Sequence, residues 1–180
     1  MTTLRFFMLL ALVIWIGGII FFAAVVAPAL FTLLPSVHLA GLVVRHSLTT
    51  LHWMGVVCGG VFLIFSLWSS EHAGAGWQAL APRNLLVFGM MVVTLVSQLV
   101  VAARMEALQA QVGDIETVAA GDPRRLAFDR LHQWSTSLEL IVLLLGLAAL
   151  WFVARHWTVP LSTPRVAQNL PARSSSALHS

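Results

Sequence analysis

The sequence predicts an all-α integral membrane fold: a four-helix bundle whose helices 2, 3 and 4 extend beyond the bilayer on one side. Three observations carry that prediction. The chain is 59% hydrophobic and only 9% charged, with a mean hydropathy of +0.90, whereas a soluble domain carries about 25% charged residues. Its apolar residues fall into four runs, each at least as long as the ~20 residues that cross a bilayer. The runs are too closely spaced to build separate cores, which makes residues 1–158 one transmembrane domain with spans near 4–34, 36–69, 82–110 and 123–156. The third observation is that the ionisable residues gather mostly on one side of those spans.

The first span opens at Arg5 and is apolar to Leu34. A signal-peptide core is only about 7–15 apolar residues long, so this run is expected to stay as a membrane helix. Gly17, Gly18 and the Ala23/Ala27 pair offer a flat strip for a neighbouring helix. Pro28 and Pro35 punctuate its far end. In the second span, Ser36 is a candidate N-cap. His38, Arg45, His52 and Gly59 recur every seven residues and so share a face, while Gly55 and Gly59 form a GxxxG packing motif.

The third span begins at Pro82 and is broken by the polar Asn84, Thr94, Ser97 and Gln98. After Arg104 it continues as an amphipathic helix, with Met105, Leu108, Val112 and Ile115 at three–four spacing, and Gly113–Asp114 as a candidate break. Asp122–Pro123 is a strong start signal for the fourth span. Along that span Arg125, Asp129, His132, Thr136, Glu139 and Gly146 follow one stripe, and the first turns can pair with the extension of span three as a helical hairpin. From Pro160 the tail, residues 159–180, has the composition of a disordered segment. The seven tryptophans lie mostly at span ends, as an aromatic belt does.

All ten basic residues are arginine, and they are scattered, so the net charge of +3 gives no nucleic-acid footprint. The lone Cys58 forms no intramolecular disulfide. There is no nucleophile–base pair, phosphate loop or nucleotide motif, and the sequence names no reaction. Five arginines (5, 83, 155, 165 and 173) oppose five others (45, 104, 124, 125 and 130), so the positive-inside rule leaves the orientation open.

Topology brings the polar residues together. Short loops place the start of span two, the end of span three and the start of span four on one side. At ~1.5 Å rise per residue, His52, Gln98 and Glu139 each lie roughly 10 Å deeper than Arg45, Arg104 and His132. The expectation is a polar pocket with His52, Gln98 and Glu139 near its floor and Arg45, Arg104, Asp129 and His132 near its mouth. An acid on so apolar a helix needs a reason. Glu139 either serves a ligand or proton, or is a protonated hydrogen-bonding group in an interface. His52 has the alternative of a satisfied core histidine, Asp129 that of a capping residue, and Gln98 that of interhelical glue.

A metal site would need two or more of His52, His132 and Glu139 to converge, without a metal-binding motif to support it. Three functions remain open: a small-solute, proton or metal-ion binding or permeation protein; a haem-binding or redox protein using His52 and His132; and an accessory subunit meeting a membrane partner. Lipid is the expected surrounding, with a partner protein or a homo-oligomer as further possibilities.

The runs Trp15-Ile-Gly-Gly-Ile-Ile-Phe-Phe, Ala27-Pro28-Ala29-Leu30-Phe31 and Leu34-Pro35 resemble the opening of the bacterial DUF4149 family, which is similar to transmembrane-protein-205-like proteins. Leu51-His52, Ala103-Arg104 and Phe128-x-x-Leu131-His132-x-x-Ser135 agree with it. The resemblance covers about residues 4–155 and implies four transmembrane helices in a bacterial inner membrane, with no established activity. Where eukaryotic members carry an asparagine after the His-x-x-Ser motif, this chain has the titratable Glu139. The Trp-x-Gly-Gly opening is also similar to that of copper-resistance and haem-related membrane proteins.

Overall fold

A computed structural model of the chain describes residues 2–71, 80–113, 115–119 and 121–155. The expected disordered tail, Trp77, Trp157 and most of the loop after the second span lie outside the described residues. Four helices are long and apolar enough to cross a membrane: α1 (Thr3–Leu33), α2 (Val37–Ser69), α3 (Pro82–Val112) and α4 (Pro123–Ala154). The protein is an integral, multi-pass membrane protein. Each helix packs on the next and α4 closes onto α1, giving an up–down bundle in chain order.

Local chemistry explains where each helix starts and stops. The Ser36 hydroxyl accepts the Leu39 amide at 3.2 Å, capping the start of α2. At the head of α4, the Asp122 carboxylate accepts the Arg124 amide at 2.8 Å, with Pro123 in the first turn. The same carboxylate takes two bonds from the Arg124 guanidinium, and that ion pair holds the Asp122 carboxyl below the usual carboxylate range. α3 ends at Gly113, whose φ of 74° is the left-handed conformation that lets the chain leave the helix. The turn after it is tied to α4 by the Arg125 guanidinium, which donates to the Val118 carbonyl at 2.8 Å. The last part of α3, Ala103–Val112, packs on α4 as the hairpin reading expects.

Two helices are not regular throughout. α1 widens into π-helical turns over Phe22–Val26 and resumes at Ala27, so Pro28 does not end the helix. Proline lacks the amide that would bond back one turn, and wider turns make room for its ring. α3 has a second π-helical segment, Ser97–Ala102.

The core is built around α1. Met8, Ala11, Leu12, Trp15, Ile16 and Ile19 follow the three–four repeat and are buried against Leu51, Phe62, Val87, Met90, Val142 and Ala149. Trp15, read from sequence as a belt residue, is 1% exposed. Its indole lies against Gly55 and Gly59, where a methyl group on either glycine would collide with it. Gly59 is further enclosed by Met91, whose Cγ would be 2.7 Å from such a methyl group. The GxxxG of α2 is therefore a seat for one large side chain, not a place where two backbones meet. Gly18 packs on Leu51, whereas Gly17 faces outward with nothing near it. Trp53, Trp68, Trp134 and Trp151 are exposed on the lipid-facing or interfacial surface.

At ~1.5 Å per residue these helices measure about 47–50 Å, against a hydrocarbon thickness of about 30 Å. The excess falls on the side where α2 begins, α3 ends and α4 begins, because the polar residues are there. Counting ~20 residues back from the apolar ends at Ser69 and Ala154, and forward from Pro82, sets the hydrocarbon boundary near Thr50, Ser135 and Ala102.

Candidate functional site

Just inside that boundary three helices contribute one hydrogen-bonded cluster. His52 of α2 is 4% exposed. Its Nδ1 is 2.9 Å from Gln98 Oε1 of α3, and its Nε2 is 2.9 Å from Glu139 Oε2 of α4. The Gln98 amide nitrogen donates to the Thr49 hydroxyl at 3.3 Å, one turn before His52 on α2. Gln98 sits in the π-helical segment of α3, which also packs on α4. Such segments shift the face that a side chain presents, and they recur at functional positions.

The donor–acceptor pattern constrains the protons. An amide oxygen can only accept, so Nδ1 carries a hydrogen and donates it to Gln98. The hydrogen bond between Nε2 and the carboxyl group then needs one more proton, held by either partner. With it on Nε2 the pair is imidazolium–carboxylate; with it on Oε2 the pair is neutral. Moving it by a fraction of an ångström interconverts the two states without moving a heavy atom. The Glu139 side chain is 19% exposed and His52 is nearly enclosed, so Glu139 is the less buried partner of the pair.

Beyond the cluster, toward the other membrane face, the packing becomes mainly apolar. Gly55 and Gly59, one and two turns past His52, are covered by Trp15, and Phe62, Met90, Val87 and Val142 fill the bundle behind it. A second polar pair lies near the far ends, where the buried Ser66 hydroxyl donates to Asn84 Oδ1 at 2.7 Å.

The other residues expected at the pocket are placed apart from the cluster. The Arg45 guanidinium donates to Gln109 Oε1, and both line a groove of about 370 Å³ with His38, Leu42 and Glu106. Arg104 is exposed and lines a separate cleft between α3 and α4 with Arg130. His132 and Asp129 are exposed. The backbone carbonyl of His132 accepts the Thr136 hydroxyl at 3.0 Å. Among the described residues no three metal-ligating side chains converge. One participant went unremarked in the sequence, Thr49. Thr49 stands three residues before His52, the spacing that puts two side chains on one face.

Residues 10–114, more than half of the chain, match the model of a family described as "Domain of unknown function (DUF4149)". The chain belongs to the DUF4149 family. The match takes in α1 to α3, and so His52 and Gln98, and stops before α4 and Glu139. No curated protein matches the chain, and no solved structure does. DUF4149 membership therefore brings no activity with it, and function is argued from the geometry of the cluster.

Proposed function

We propose that this DUF4149 protein binds and releases a proton at the His52–Glu139 pair, from the side of the membrane where its ionisable residues gather. One observation carries the reading: a carboxyl group and an imidazole from different helices share a hydrogen bond inside a predominantly apolar bundle. Intramembrane acids and histidines are costly to keep, and they recur as relays and binding groups. Gln98 serves as the positioning residue, because its oxygen fixes which ring nitrogen faces Glu139. Arg45, His38 and Glu106 line the groove nearer the surface on the same side. A proton or small solute approaching from water meets them before the pair. The Trp15–Phe62–Met90 packing behind the pair favours one-sided binding over an open pore. The bilayer in question is taken to be a bacterial inner membrane, as the family resemblance implies.

The haem or redox alternative is less well supported. Both ring nitrogens of His52 are engaged, so a metal reaches either one only by breaking a bond to Gln98 or Glu139. The exposed His132 is two turns from Glu139 along α4, roughly 10 Å.

Infrared difference spectroscopy across a pH step tests the proposal on the purified, reconstituted protein. A carboxyl C=O band should appear or vanish with pH and be missing in Glu139→Gln. If the wild type and Glu139→Gln give identical difference spectra between about pH 4 and pH 9, the range that spans ordinary carboxyl and imidazole titration, the proton-binding reading fails.

A further inference from the structure

We infer that the cleft between α3 and α4 binds an anionic phospholipid, with the lipid phosphate held between Arg104 and Arg130. The cleft measures about 500 Å³ and also takes in Leu126, Leu131 and Trp134. Its two guanidinium groups come from different helices, and among the described side chains neither has a hydrogen-bond or ion-pair partner. The nearby acids do not neutralise the cleft. Glu106 lines the other groove, and Asp129 is exposed outside both.

Depth selects the ligand. With the hydrocarbon boundary near Ala102 on α3 and Ser135 on α4, Arg104 and Arg130 stand about 3 and 8 Å outside it, at the level of lipid phosphates. Trp134 marks the boundary itself, 64% exposed on the cleft side of α4. A tryptophan there matches the glycerol region, with its ring apolar and its N–H available to ester oxygens. Leu131, about 6 Å outside the boundary, adds an apolar surface beside it. The combination of two guanidinium groups, an interfacial indole and an apolar surface is complementary to a lipid headgroup with its glycerol. Planar guanidinium groups bind phosphate through paired charge-assisted hydrogen bonds, and basic pockets between membrane helices are where anionic headgroups are held. A scattered arginine meets any passing headgroup; a pair facing one cleft can retain one lipid.

Native mass spectrometry of the full chain in detergent tests this with phosphatidylglycerol, phosphatidylcholine and inorganic phosphate as separate probes. One phosphatidylglycerol should be retained and phosphatidylcholine should not. Arg104→Gln with Arg130→Gln should weaken retention at least about tenfold, since each lost charge-assisted bond accounts for that much. Both side chains are exposed, so the bundle should survive their loss; an unchanged unfolding midpoint verifies it. A matched control, Arg5→Gln with Arg155→Gln, removes the same charge from the opposite side and should leave retention unchanged. Equal loss in the control pair overturns the inference in favour of bulk charge. Equal binding of both lipids overturns it as well. Full competition by inorganic phosphate would make the cleft a free-anion site instead.

Discussion

Glu139 Oε2 lies 2.9 Å from His52 Nε2, joining residues 87 positions apart in the chain. The bond ties α4 to α2 across the bundle, and those two helices are not sequence neighbours. Because α2 also reaches α3 through Gln98, one imidazole links three of the four helices. The cluster is both a chemical group and a structural tie, and the two roles respond differently to substitution.

A double-mutant cycle separates them. Glu139→Gln keeps the size and one acceptor of the side chain, while His52→Ala removes the imidazole from Glu139 and from the Gln98 oxygen, leaving Gln98 only its bond to Thr49. Both changes should destabilise the bundle, and their effects should be non-additive by about 1–3 kcal/mol, the range for residues in direct contact. Unfolding in mixed micelles measures it. A coupling near zero would mean the bond makes no net contribution to stability.

Gln98 is predicted to decide the imidazole tautomer. With its oxygen opposite Nδ1, the neutral ring keeps its hydrogen there. In Gln98→Leu that acceptor is gone, while Glu139 still accepts from Nε2. The neutral ring should then move to the Nε2–H form. Nitrogen-15 chemical shifts of labelled histidine read the change directly, and an unaltered Nδ1–H signal in the variant contradicts the assigned role.

How much of this was legible beforehand follows from what a linear pattern encodes. Helix rise gives depth, so His52, Gln98 and Glu139 could be placed at one level below one surface. Depth alone does not say which way a side chain points. Arg104 follows Gln98 by six residues across the π-helical turns, and it is exposed in the α3–α4 cleft, not joined to the cluster. His132 shares a face with Glu139 but stands two turns nearer the helix start, where it is exposed. The π-helical turns at Phe22–Val26 and Ser97–Ala102 leave no mark in an apolar run, so neither segment was expected from the sequence. Trp15 read as belt because tryptophan suits an interface and a core alike. Its clue was the partner motif, since Gly55 and Gly59 leave a hollow that a large ring can fill.

The Asp122 cap should show its own pH dependence. Its carboxyl group is held below the usual range, mainly by side-chain hydrogen bonds from Arg124, with the backbone bond adding to it. A depressed folded-state value means the contribution is fully present above the ordinary carboxylate range and is lost as pH falls through the lowered one. Acidification should therefore lower the unfolding midpoint in the wild type by more than in Asp122→Ala. Midpoints that fall in parallel for the two proteins would show that the cap contributes nothing through its charge.

The glycines of α1 and α2 should respond in opposite directions to the same change. At Gly55 an added methyl group meets the Trp15 indole, and that ring is enclosed on every side, at 1% exposure, so it cannot swing away. Overpacking of this kind costs about 1–3 kcal/mol. At Gly17 the added methyl group meets nothing, and alanine is the better helix former by about 0.5–1 kcal/mol. Gly55→Ala should lower the unfolding midpoint while Gly17→Ala holds or raises it. Because His52 lies one turn before Gly55, a displaced Trp15 should also disturb the His52–Glu139 bond. The infrared carboxyl band should therefore shift in Gly55→Ala and not in Gly17→Ala. If both variants leave that band in place, the packing of Trp15 and the proton-sharing pair are independent of each other.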